Sequence, residues 1–322
     1  MSLIMAVCLM LGVMVPAAFA DETKTFIVAM TEDPKSFNPD AQADDSGWPV
    51  FQNLYDGLFQ LNWNNEIVPD LCETYTISDD GLTCIFNLRK GVKWYDYQGN
   101  EMAEVTANDF VAAAKYVMTA ENESLTYSQI AFIKNADAYY NKEITDFEEV
   151  GVKAPDDYTL VYTLEAPTPY FLSGLTYTPW FPAYGPLLDE LGKDFGTSND
   201  KLYYCGAYIL SEYEPQVKHK YVKNYNNWDA DKIYITEINR RYNAEAATLA
   251  PNMVLRGEID YADISTDIVD DWKANNPQYL SKKRLDAVKV WEDIAEACEN
   301  KTTLEGKVTE ENKGGIVVNV KG

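Results

Sequence analysis

Residues 68–94 read VPDLCETYTISDDGLTCIFNLRKGVKW, and residues 105–110 read VTANDF. Two β-rich runs, Thr74-Tyr75-Thr76-Ile77 and Cys84-Ile85-Phe86-Asn87-Leu88, flank Ser78-Asp79-Asp80-Gly81. β-Branched and aromatic residues suit a pleated, half-buried surface, and Asp-Gly supplies turn conformations, so the runs predict a β-meander that continues through Arg89–Trp94. A four-residue turn at 78–81 places Tyr75 opposite Cys84. Thr106 then opens a helix, because its side chain can accept from first-turn N–H groups and Asp109 complements the positive end of the helix dipole. Phe110, Ala113, Ala114 and Val117 follow at helical spacing.

Outward from this stretch, strands and helices mix without strict alternation. Phe26-Ile27-Val28-Ala29-Met30 reads as a buried strand ending in the turn Thr31-Glu32-Asp33-Pro34. Residues 48–61 read as a helix broken at Asp56-Gly57, and 152–164 as strands turning at Pro155-Asp156-Asp157. Pro167 and Pro169 mark a boundary. The aromatic, proline-rich run 170–184 suits a loop or short helix lining a cleft. Strands are expected at 217–225, 233–241 and 259–262, with a helix over 244–256 closed by Gly257. The expected class is α+β, a mixed α/β arrangement rather than a barrel.

The chain has 322 residues, 46% of them hydrophobic, and 51 acidic against 27 basic side chains give a net charge of −24. Its apolar content excludes global disorder, and its acidity argues against binding a bare phosphate backbone. No GxGxxG or GxxxxGK[ST] run is present, so no phosphate-cradling loop is expected. Residues 3–20 form an uncharged apolar run with Pro16 and the ending Ala18-Phe19-Ala20, followed by Asp21-Glu22. This reads as a secretory signal cleaved after Ala20, despite a missing basic start, rather than a membrane anchor. Cys8 fits a lipoprotein signal poorly.

Export permits disulfides, and Cys72, Cys84, Cys205 and Cys298 follow the signal. Buried free thiols are favoured over a Cys72–Cys84 bridge, and no CxxC spacing suggests zinc. The single histidine, His219, stands between Lys218 and Lys220 and is read as an exposed strand residue, not a ligand. Pairs such as Glu148-Glu149 and Asp156-Asp157 read as solvated turn charges, so a glycosidase reading is weak. No catalytic residues, metal site or cofactor are expected.

The quoted stretches resemble the bacterial extracellular solute-binding proteins of family 5, the oligopeptide- and dipeptide-binding receptors of ABC importers. Supporting segments are Asp33-Pro34-Lys35-Ser36-Phe37-Asn38-Pro39, Asn53-Leu54-Tyr55-Asp56-Gly57-Leu58, Gly206-Ala207-Tyr208, Asn224-Tyr225-Asn226-Asn227-Trp228 and Arg256-Gly257-Glu258-Ile259-Asp260. Cys205, Ala207 and Asn108 depart from the family pattern. The resemblance covers about 21–276. It implies the first lobe of a type II periplasmic-binding-protein-like fold at 21–54 and 170–276, with an extra subdomain inserted at 55–169. The second lobe is expected to be missing, and ligand capture impaired. The implied ligand is a short peptide, met near Thr31, Glu32, Asp33 and Pro34, with Tyr242 and Asn243 as weaker candidates. Glu32 is placed to face a cationic side chain. The acid that meets the peptide's amine in the family lies in lobe two. A permease in the cytoplasmic membrane, an exported location (periplasm or outer membrane face) and a monomeric state follow from the same resemblance. The chain's 23 tyrosines and 7 tryptophans also suit sugar recognition, although packing is the commoner use of aromatics.

From about Tyr279 the character changes. Val290-Trp291-Glu292-Asp293-Ile294-Ala295 suits a short amphipathic helix, and 303–310 and 314–320 suit strand, turn, strand. Glu305-Gly306-Lys307-Val308 and Lys313-Gly314-Gly315-Ile316-Val317-Val318 resemble the repeated RNA-binding OB-fold domain of the largest small-subunit ribosomal protein, so 280–322 is read as an incomplete fragment of it. A junction of two unrelated genes near 277–283 is expected. The alternative function is RNA binding. Against it, 285–322 hold 8 acidic and 5 basic residues and no aromatic follows Trp291, whereas OB-fold recognition needs stacking rings and basic grooves.

Overall fold

The computed structural model describes residues 23–41, 46–62 and 64–276, and the backbone of 306–312 and 315–320. The expected signal at 1–20, the helix at 290–297 and Cys298 lie outside the described residues. The chain divides into two compact units, the first ending at Ala262 and the second beginning at Asp263.

The first unit runs β1 (Thr25–Met30), α1 (Trp48–Leu54), β2 (Phe59–Leu61), β3 (Ile67–Pro69), β4 (Cys72–Ile77), β5 (Thr83–Leu88), β6 (Lys93–Tyr95), β7 (Glu101–Glu104) and α2 (Ala107–Met118). It continues with α3 (Ala136–Tyr140), β8 (Val152–Asp156), β9 (Thr159–Thr163), α4 (Phe171–Gly174), α5 (Gly185–Leu191), β10 (Tyr208–Glu214), β11 (Lys218–Lys223), β12 (Glu237–Tyr242) and α6 (Ala246–Leu255). The second unit holds α7 (Val269–Asn275) and the antiparallel pair β13 (Gly306–Asn312) and β14 (Gly315–Val320), the hairpin expected near the end of the chain. No helix among the described residues is long and apolar enough to cross a membrane.

Two four-stranded sheets organise the first unit. One has the order β4-β5-β9-β8 and is antiparallel throughout. The predicted meander is present, with one change of register: Ser78 N–H donates to the Thr83 carbonyl at 2.9 Å, closing the loop one residue later than assumed. Ile77, not Tyr75, therefore faces Cys84, and Tyr75 faces Phe86. Cys72, Cys84 and Cys205 are buried free thiols. α2 packs on this sheet. Asp109 accepts from the Thr106 N–H at 2.9 Å, from the Trp94 indole at 3.1 Å and from the Gly185 N–H at 3.3 Å, so the predicted cap also ties three segments together. Between sheet and helix lies an aromatic cluster in which Phe86, Tyr162, Phe171 and Trp180 meet edge to face.

The other sheet has the order β1-β12-β11-β10, with β1 and β12 parallel and the remaining pairs antiparallel. α1 is shorter than expected. It ends at Leu54, and the chain past Asp56-Gly57 becomes a strand rather than resuming a helix. Residues 259–262 form no strand; Tyr261 makes a single bridge to Val28. β10 and α5 carry too weak a pattern to have been placed from sequence. His219 is not exposed. β11 alternates, so Lys218 and Lys220 face Glu212 and Glu237 across the sheet surface while His219 points inward with 0% of its side chain accessible. The lysines on either side marked the wrong face, because neighbours in a strand point to opposite sides. Glu148, Glu149, Asp156 and Asp157 are exposed, as expected.

Candidate ligand-binding site

Parallel pairing of β1 and β12 brings distant segments to one sheet end. Met30 stands opposite Tyr242, and the Asn243 N–H donates to the Met30 carbonyl at 2.9 Å. The turn Thr31–Pro34 and the pair Tyr242–Asn243 are therefore neighbours at the carboxyl ends of parallel strands, where α/β sheets characteristically receive ligands. Thr31 and Glu32 are exposed, Asp33, Tyr242 and Asn243 are half-buried, and Pro34 is buried. Two of the six carry structural duties. Asp33 accepts from the Gln216 N–H at 2.7 Å and its carbonyl accepts from Ser46 Oγ at 3.4 Å. Asn243 Oδ1 accepts from the Glu245 N–H at 2.9 Å, which starts α6.

A second feature was only partly legible in the sequence. α1 sets Trp48 and Gln52 one turn apart and delivers the chain to Asp56, along one wall of a cleft of about 780 Å³. Tyr177, Thr178 and Gln129 contribute to the rest of the lining, and a second hollow of about 600 Å³ shares Gln52, Asp56, Gln60 and Asp70 with it. The Trp48 and Tyr177 rings lie 4.9 Å apart and tilted by 45°. The aromatic run 170–184 thus divides: Phe171 and Trp180 build the core, while Tyr177 is 48% exposed and faces the cleft. Rings and side-chain amides offer flat apolar surface and paired donors and acceptors. The aromatic run was the sequence signal for this cleft, but Trp48 and Gln52 carried none.

The cleft floor is an acidic joint. Trp228 Nε1–H lies 3.1 Å from Asp56 Oδ2 and 3.2 Å from Asp70 Oδ1. Asn227 Nδ2 donates to Asp56 at 2.8 Å and the Gly57 N–H to Asp70 at 3.2 Å. The Arg89 guanidinium sits 4.0 Å above the Trp228 ring and its Nε donates to the Asp70 carbonyl at 2.6 Å. Burial pushes the Asp56 carboxyl up to about 7, against the Asn227 and Trp228 hydrogen bonds that hold it down. Burial, then the neighbouring Asp56 charge, raises Asp70 well above the usual carboxylate range. The two acids share one indole proton and disfavour each other's ionisation. Among the described residues no cluster of three or more His, Cys, Asp or Glu is arranged to hold a metal ion.

Residues 66–290 match the family profile described as bacterial extracellular solute-binding proteins, family 5 Middle. The match continues through the 277–283 stretch at which a change of character was expected. The chain is 34% identical over 234 residues to the oligopeptide-binding protein AliB of Streptococcus pneumoniae, covering 72% of this chain and 36% of that one. In structure it is similar to the substrate-binding domain of an oligopeptide ABC transporter from Bacillus anthracis, with a TM-score of 0.72, 29% identity, and coverage of 79% of this chain and 48% of that one. It is also similar to Listeria monocytogenes OppA bound to peptide, with a TM-score of 0.70, 26% identity, and coverage of 79% and 48%. The mixed α+β fold of these substrate-binding domains is the fold expected. The chain spans about a third of the length of the AliB relative and about half that of the solved structures.

Proposed function

The chain belongs to the bacterial extracellular solute-binding proteins of family 5, and from that premise we propose that it binds short peptides as the receptor component of an ABC importer. The observation that carries the reading is the sheet end where Thr31–Pro34 lies beside Tyr242–Asn243. An extended peptide laid across this end of the sheet gains main-chain hydrogen bonds from the loop that do not depend on its sequence. Thr31, Glu32 and Tyr242 supply the contact, with Asp33, Pro34 and Asn243 shaping it. The ring- and amide-lined cleft behind Trp48 and Tyr177 accepts side chains of varied chemistry, water filling what they leave. The partner is a permease in the cytoplasmic membrane, met from outside the cytoplasm by a monomeric receptor.

Tryptophan fluorescence tests this reading, since Trp48 lines the cleft. Tri- to pentapeptides are expected to give a saturable change, and single-stranded RNA and free sugars none. A saturable response to RNA or sugar with none to peptide overturns it.

A further inference from the structure

The buried face of β11 holds a network that reaches the proposed ligand edge from behind. His219 Nε2 lies 3.1 Å from Asp33 Oδ1, and its Nδ1 lies 3.2 Å from the Tyr221 hydroxyl. Phe37 and Tyr213 pack edge-on against the imidazole at 5.6 and 5.1 Å. A carboxylate only accepts, so Nε2 carries the proton and Nδ1 accepts from Tyr221. Burial and the charge of Arg240, its register partner on β12, lower the imidazole to about 4, which keeps it neutral. The other Asp33 oxygen accepts from the Gln216 N–H at 2.7 Å. Gln216 sits at φ +55° in the β10–β11 turn, and the next carbonyl, that of Val217, accepts from the Tyr242 N–H at 2.9 Å. One turn therefore grips both segments, Asp33 through Gln216 and Tyr242 through Val217.

We infer that His219 is a positioning residue, which with the Gln216–Val217 turn clamps Thr31–Pro34 against Tyr242–Asn243 in the geometry that receives the peptide, without touching the ligand. The inference rests on the reading of that edge as the peptide contact. An imidazole is rigid and presents its donor and acceptor at opposite corners, so it can span from Tyr221 on its own strand to Asp33 on the loop.

His219 is the only histidine of the chain, so its ¹⁵N resonances report the tautomer without ambiguity. The Nε2–H form is expected, and an Nδ1–H form overturns the inference. Amide exchange at Gln216 and peptide affinity are then compared in His219→Leu, which cannot donate, and His219→Gln, whose amide N–H still can. His219→Leu is expected to speed Gln216 exchange and weaken peptide binding, each about tenfold, with His219→Gln within about threefold of the unsubstituted chain. Unchanged exchange in folded His219→Leu, or equal losses in both variants, overturns the clamp. Faster exchange with unchanged affinity overturns the positioning role while the peptide reading stands, whereas an unsubstituted chain that binds no peptide overturns the peptide reading and the inference with it. Should His219→Leu fail to fold, Asp33→Asn, which keeps the volume but leaves one donor without an acceptor, gives the same two readouts with the same expected directions.

Discussion

Asp56 and His219 show how burial sets opposite pH responses in one unit. The folded carboxyl of Asp56 is raised to about 7, so its contribution to stability is present below the unfolded value near 4 and is lost as pH rises through 7. The folded imidazole of His219 is lowered to about 4, so its contribution is present above the unfolded value near 6.5 and is lost as pH falls through 4. Asp56→Asn keeps an acceptor for the Trp228 and Asn227 donors while removing the charge. It is expected to stabilise the protein at pH 8 by up to about 4 kcal/mol and to leave stability at pH 3, below both values, nearly unchanged, read as thermal midpoints at the two pH values. An equal shift at both would show that Asp56 acts by packing alone. Neither acid of the pair was legible as a site: both stood in quoted segments, Asn53–Leu58 and Val68–Leu71, but only folding brings them to one indole. His219 was misread for a local reason, since its lysine neighbours announce the opposite face of the strand.

At the scale of elements, local chemistry was most legible where it was self-contained. The 74–88 hairpin and the Thr106–Asp109 helix start follow from turn and capping residues a few positions apart, and both are present. The error in hairpin pairing came from the loop, which sits one residue later than expected and so moves each partner by two, because the Ser78 side chain and backbone both engage Thr83. β10 was not legible because its position depends on a distant helix end. The Cys205 and Gly206 N–H groups donate to the Leu54 carbonyl at 3.3 and 3.0 Å, docking the start of β10 on the end of α1. A Cβ at Gly206 would lie 2.6 Å from both Leu54 C and Tyr55 N. Gly206→Ala is therefore expected to cost about 2 kcal/mol or more in chemical denaturation, because the clash is with backbone rather than a movable side chain. A cost under about 0.5 kcal/mol would mean that α1 shifts freely, and the cleft wall with it.

For the whole molecule, charge and topology act on different levels. A net charge of −24 on 322 residues strains the compact state through self-repulsion, which salt screens over roughly 10 Å at 0.1 M. Raising sodium chloride from about 10 to 150 mM is expected to add about 1 kcal/mol of stability. A fall in stability would instead mark the surface ion pairs, such as Lys218 with Glu212 and Lys220 with Glu237, as the dominant charges. Topology brings the proposed contact residues together: parallel β1 and β12 join residues some two hundred positions apart at one end of the sheet, which no local pattern reveals and which entered the sequence reading only through family resemblance. Amide hydrogen exchange across the whole chain, with and without saturating tripeptide, tests the central claim most directly. The account predicts slowed exchange at 31–33, at 242–243 and along α1. Saturable binding that leaves those segments unchanged while protecting others would contradict it.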